Sequence, residues 1–88
     1  MNIAGMASNR GRNLVHIADR APGGVELSVV LTDAADAPVL EKAEKRDIST
    51  ETVVWREDES RQNHERRVLD ALEGYDVYLV CLDGYMRI

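Results

Sequence analysis

Residues 7–14, ASNRGRNL, gather the side chains of this sequence best suited to chemistry. Ser8 and Asn13 can donate or accept hydrogen bonds, Gly11 lets backbone approach a ligand closely, and Arg10 or Arg12 can neutralise an anion. The stretch follows an apolar run and precedes a helical pattern. A loop that leaves a buried strand and enters a helix presents unpaired N–H groups at the positive end of the helix dipole. The chemistry indicated is the holding of a phosphate, although a capped polar turn uses the same residue types without a ligand. Neither the GxxxxGK[ST] loop of nucleoside triphosphatases nor the GxGxxG dinucleotide fingerprint is present.

The elements that must position this loop follow from pattern. Residues 2–7 read as a short buried strand. Leu14, Ile17 and Ala18 recur at helical spacing as far as APGG, 21–24, where Pro and Gly stop the helix. VELSVVLT, 25–32, is rich in β-branched residues and reads as a strand covered on both faces. A second helix spans 37–46, with Val39, Leu40 and Ala43 on one face and Glu41 paired with Lys45 at i,i+4. A third strand spans 50–55, and a longer, wetter helix spans 57–73 around Val68, Leu69 and Leu72. A fourth strand, 76–83, leads into GYMRI.

Strands alternating with helices predict βαβ units with right-handed crossovers. The expected fold is a three-layer α/β, Rossmann-like parallel sheet of about four strands and three helices, one domain spanning 1–88. In such sheets ligands sit beyond the carboxyl ends of the strands, where the strand order reverses. With the order 3-2-1-4, the loops after strands 1 and 4 flank one crevice. Strand 4 is then an edge, yet YLVCL is continuously apolar. The reading therefore expects further chain beyond Ile88, or a partner chain, to cover that edge.

Composition narrows the partners. The formal charge of the 88 residues is −5; residues 1–20 carry three arginines and one aspartate, +2, leaving −7 for the rest. An acidic body opposes a nucleic-acid partner, and no apolar run approaches a bilayer-spanning length. The start lacks the basic n-region of a secretory signal, and the single cysteine, Cys81, excludes an internal disulfide. A buried, reduced thiol and a cytoplasmic protein are expected. His16, His64 and Cys81 show no zinc-ligand spacing. His16 is expected to be a surface or packing residue, Trp55 to pack under the third helix, and Glu65 and Arg66 to face outward.

Four segments, MNIAGMASNRGRNL, LTDAADAPVLEKAEKRDIST, ESRQNHERRVLDAL and DVYLVCLDGYMRI, together resemble the beginning of glycinamide ribonucleotide formyltransferases. The likeness covers essentially the whole chain; its most specific pieces are the S-N-x-G-x-N-L loop and the terminal G-[FY]-M-R-I. The resemblance implies formyl transfer from 10-formyltetrahydrofolate to the amine of 5′-phosphoribosylglycinamide, a purine-biosynthetic step without a metal. It implies that Gly11, Arg12 and Asn13 hold the substrate phosphate. Arg12 stands where the family has a small Ser or Thr, exchanging a hydroxyl for a charge.

By the same resemblance, the Ser60–Arg61 pair makes Arg61 a candidate for reaching the phosphate or its neighbourhood. Met86, Arg87 and Ile88 border the pterin site, with Leu82 beneath it and Tyr85 in its wall. Asp83 stands where the family commonly has Ala, and the sequence assigns it no role. The family's Asn-x-His pair and later Asp have no counterpart in these 88 residues, so no catalytic residue is assigned. His64 directly follows Asn63 and lacks that spacing. The chain alone is expected to bind substrate phosphate without catalysis. Two other readings of the residues remain: a stand-alone, non-catalytic phosphate- or nucleotide-binding module, and an assembly subunit that pairs through its fourth strand.

Nine arginines against two lysines, among 16 acidic residues, suit a protein kept soluble in high salt, where screening removes self-repulsion. The midpoint of urea unfolding is expected to rise between low and molar salt. A midpoint indifferent to salt contradicts this.

Overall fold

The structure, a computed structural model, describes residues 1–20 and 23–85. Strands β1 (Asn2–Met6), β2 (Glu26–Thr32), β3 (Ser49–Thr52) and β4 (Leu79–Leu82) form one parallel sheet in the order β3-β2-β1-β4. Helices α1 (Arg12–Arg20) and α2 (Pro38–Lys45) cover one face, where Leu14, Val39 and Ala43 meet Ile3, Leu27 and Val30. Helix α3 (Arg61–Glu73) covers the other, where Val68 and Leu72 meet Ala4, Met6, Val29 and Leu31. The three-layer reading and its strand order hold.

One irregularity sorts the core residues of β2. Ile3 pairs with Leu27 but Ala4 with Val29, so Ser28 is the extra residue of a bulge. Leu27 and Val30, three apart, therefore share the α1–α2 face, while Val29 and Leu31 share the α3 face. Gly5 sets the distance between β1 and α1. A Cβ built there would stand 2.6 and 2.7 Å from the two Leu14 methyl carbons. The helix lies this near because the position has no side chain.

Element boundaries differ from the pattern reading where turn chemistry intervenes. Helix α3 starts at Arg61 rather than 57, because Ser60 caps it and its Oγ accepts from Asn63 N–H at 3.1 Å. Strand β3 ends at Thr52: Val53 still donates to the Thr32 carbonyl, but Val54 offers its carbonyl to Arg67 and Trp55 turns toward α3. Strand β4 begins at Leu79 because Asp76 takes a left-handed conformation, φ 51°, and pairing with β1 begins at Ile3. Helix α2 closes in a Schellman arrangement in which Asp47, φ 56°, takes the left-handed position and Ile48 N–H donates to the Ala43 carbonyl.

Cys81 corrects an expectation. It is half-buried, not buried: it packs against the α1–α2 side of a strand whose outer edge has no neighbour among the described residues. Leu79, Val80 and Leu82 of the same strand, and Leu69 of α3, are exposed.

Gly5→Ala is expected to cost about 1–3 kcal/mol through overpacking against Leu14, and Leu14→Ala about 2–5 kcal/mol. In the double variant the alanine methyl fills part of the vacated space, so urea unfolding should show a loss smaller than the sum. Strict additivity contradicts this account of the contact.

Candidate functional site

The loop after β1 is held from three sides. Ala7 N–H donates to the Leu31 carbonyl at 3.1 Å, and Val39 N–H, in the first turn of α2, donates to the Asn9 carbonyl at 3.0 Å. Lys42 Nζ reaches the Arg10 carbonyl at 3.2 Å. Gly11 then takes φ +59°, and a Cβ there would lie 2.4 Å from Val39 Cγ2. Only glycine meets both conditions. The Gly11 carbonyl accepts from Val15 N–H at 3.0 Å, the first hydrogen bond of α1. Arg12 and Asn13 are thereby fixed in the first turn, both exposed at the carboxyl end of the sheet.

The first turn of α1 contains no acidic residue, yet its positive end is not bare. Asp83 N–H continues the β1–β4 pairing by donating to the Met6 carbonyl at 2.8 Å. Its carboxylate then accepts from Asn13 N–H at 2.9 Å and from Asn13 Nδ2 at 3.1 Å. The loops after β1 and β4 therefore meet, as the strand order requires. Asp83, left without a role by the sequence, makes the contact. A strand ending in Asp-Gly beside a helix lacking its own first-turn acid was the only signal for it.

The sheet's other face holds a buried polar cluster that sequence reasoning missed. His64 and Glu59 are fully buried, and Arg67 Nη1 donates to both Glu59 oxygens at 2.7 and 2.9 Å. Asn63 Nδ2 and Arg56 N–H also donate to that carboxylate, at 3.1 and 3.3 Å. His64 Nε2 lies 2.9 Å from the Tyr85 hydroxyl, while Nδ1 has no hydrogen-bond partner and faces Glu59 Oε1 at 3.5 Å. Placing the proton on Nδ1 turns an N–H toward a negative charge and leaves Nε2 to accept from Tyr85. The Trp55 ring packs 4.8 Å from the imidazole, so Trp55 lies against α3 as expected, though outside β3.

The other candidates divide as follows. Leu82 is exposed, beside an open apolar hollow of about 320 Å³ that Met6, Val68 and Leu69 also line. Tyr85 is buried with its hydroxyl turned to His64. Arg61 is exposed at the start of α3, on the opposite face from α1, and has no hydrogen-bond or ion-pair partner among the described residues. Met86, Arg87 and Ile88 lie outside the described residues. His16 is exposed on α1, Arg66 is exposed and Glu65 half-buried. No helix among the described residues is long and apolar enough to cross a membrane.

Both the sequence and the fold have known relatives. A family model described as formyl transferase matches residues 1–88. The phosphoribosylglycinamide formyltransferase of Escherichia coli (strain K12) is 33% identical over 93 residues, covering 100% of this chain and 43% of the relative. The trifunctional purine biosynthetic protein adenosine-3 of Gallus gallus is 30% identical over 91 residues, covering 100% of this chain and 9% of its own. Among solved structures, glycinamide ribonucleotide transformylase 1 from Symbiobacterium toebii superposes with a TM-score of 0.91 at 33% identity, covering 100% of this chain and 43% of that one. The chain thus spans less than half the length of these relatives.

The buried cluster gives the fold a pH signature. The Arg67 hydrogen bonds, helped by Arg56 N–H, hold the Glu59 carboxyl below the usual glutamate range against the opposing effect of burial. A carboxyl lowered in the folded state contributes its stability in full above the unfolded value, about 4.3, and loses it as pH falls through the lowered one. Thermal unfolding across the acid range should show Glu59→Gln less stable than the unchanged protein at neutral pH, with a shallower loss on acidification. Parallel curves for the two proteins contradict this role for Glu59.

Proposed function

The chain belongs to the formyl transferase family, and on that premise we propose that it carries the substrate-phosphate site and part of the folate-facing wall of a phosphoribosylglycinamide formyltransferase. The reaction is transfer of the formyl group of 10-formyltetrahydrofolate to the amine of 5′-phosphoribosylglycinamide. The observation that carries this reading is the meeting of the β1 and β4 loops, with Gly11 left-handed and the Arg12 and Asn13 backbone presented at the opening of α1. The helix dipole and the first-turn amides, of which Asn13 N–H is held by the Asp83 carboxylate, favour an anion there, and the exposed Arg12 guanidinium adds a charge-assisted donor.

Attack of the amine on the formyl carbon needs donors for the developing oxyanion and an acceptor for the amine proton. The residues of this chain do neither in our reading; they bind and orient. Anchoring the phosphate fixes one end of the substrate, so the amine at the other end meets the formyl carbon within a restricted volume, the positional part of catalysis. Leu82 is exposed and can contact the folate, with Met86, Arg87 and Ile88 assigned beside it by resemblance. Tyr85, buried against His64, acts on that wall by fixing the backbone that leads into it. Arg61, exposed at the start of α3, is assigned to the neighbourhood of the phosphate by resemblance alone.

The exposed apolar residues of β4 and α3, Leu69, Val80 and Leu82, form the surface against which the rest of the formyltransferase fold packs. The cytoplasm is the compartment that accords with this chemistry.

Amide NMR of the intact protein during titration with 5′-phosphoribosylglycinamide tests the reading. Shifts are expected at residues 8–14 and 83–85, with weaker effects from inorganic phosphate at the same loop. Arg12→Ala should weaken binding about tenfold, the magnitude of one charge-assisted hydrogen bond. Gly11→Ala should weaken it further, because alanine in the left-handed region costs about 1–2 kcal/mol before the clash with Val39. Shifts elsewhere, or none, overturn the phosphate-loop assignment.

A further inference from the structure

The Asp83 carboxylate occupies the place a bound anion would take. It accepts from Asn13 N–H at 2.9 Å and from the Asn13 side-chain amide at 3.1 Å, two donors at the opening of α1. An anion there is stabilised by the helix dipole whatever its source. Asp83 reaches the spot from the end of β4, a separation of 70 residues, because the sheet sets β4 beside β1. Its backbone is fixed by the hydrogen bond to Met6 at 2.8 Å, so the carboxylate leaves Asn13 through rotation of its own side chain, without movement of the strand.

We infer that Asp83 is an affinity-setting residue of the phosphate site: its carboxylate closes the β1 loop internally, and phosphate binds by displacing it. The inference rests on the phosphate-loop reading above and adds to it. A phosphate brought to Asn13 N–H with Asp83 in place meets a like charge at hydrogen-bond range and finds both Asn13 donors taken. Once Asp83 has rotated away, the Asn13 amide N–H and side chain are released together. Binding is therefore an exchange of one anion for another, and its strength is the difference between two favourable interactions. Arg10 and Arg12, both exposed beside the loop, supply positive charge that draws the second anion in.

The contact serves the empty protein as well. With no acidic residue in the first turn of α1, Asp83 is the group that offsets the dipole and ties the two loops together. A purely structural cap and a displaceable one differ in the sign of a single effect. Removing a structural cap loosens the loop and weakens ligand binding. Removing a displaceable competitor strengthens it.

The test uses inorganic phosphate and ribose 5-phosphate as probes of the intact protein, with Asp83→Ala and Asp83→Asn beside the unchanged sequence. Amide spectra follow residues 8–14, and carboxylate carbon resonances follow Asp83. The expected result is binding about tenfold tighter in both variants, as removal of one competing charge-assisted hydrogen bond gives. In the unchanged protein the Asp83 carboxylate resonance should move as phosphate is added. Equal or weaker binding by the variants, with shifts still at residues 8–14, overturns the role of Asp83 and leaves the phosphate loop standing. Absence of shifts at residues 8–14 in all three proteins overturns both. Asp83→Asn keeps the shape and an acceptor oxygen, so it decides the matter should Asp83→Ala fail to fold.

Discussion

The structure depends on the contact between Gly11 and Val39. With no side chain at Gly11, the β1 loop presses against the first turn of α2 and turns through a left-handed residue into α1. The anchoring of the loop goes with that turn: the Asn9 carbonyl meets Val39 N–H, the Arg10 carbonyl meets Lys42, and α1 opens toward the carboxyl end of the sheet. Gly5 does the same for the body of the helix, since Leu14 occupies the space a Cβ would need. Two glycines thus fix the height and direction of α1 over β1, and with them the direction of its first-turn amides.

The two faces of the sheet solve different problems. The α1–α2 face is apolar inside and polar at its end, where Asn13 and Asp83 join loops distant in sequence. The α3 face buries charge. Glu59 is tolerated there because Arg67, Asn63 and Arg56 N–H supply donors to both its oxygens, which offsets the cost of removing a carboxylate from water. That carboxylate in turn lies beside His64, which holds the Tyr85 hydroxyl. The polar cluster on α3 therefore reaches the segment after β4, the same segment that Asp83 ties to α1 from the other side.

The architecture was legible in the sequence because it rests on periodicity and composition. Alternating strands and helices gave the parallel sheet, and the apolar run at 79–82 gave its apolar edge strand, which is exposed among the described residues. The S-N-x-G-x-N loop was legible as a candidate because its residue types are unusual between a strand and a helix. The rest depends on contacts across the sheet. Nothing local to Asp83 marks it as a partner of Asn13, and His64 reads as one polar residue among many on a wet helix. Its burial becomes visible only when Trp55 and Tyr85 are brought to it. The missed boundaries were set by single residues: Ser60 capping α3, and left-handed Asp76 delaying β4. Cys81 was read as buried because an apolar run looks the same in a central strand and at an edge.

The central claim is that the β1 loop recognises a phosphate monoester. Calorimetric titration of the intact protein with 5′-phosphoribosylglycinamide and with its dephosphorylated riboside tests it most directly. The account predicts that the phosphorylated compound binds and that loss of the phosphate lowers affinity by about a hundredfold or more, the worth of two or more charge-assisted hydrogen bonds. Equal affinity for the two compounds would contradict it, and the loop would then be a capped turn with no ligand.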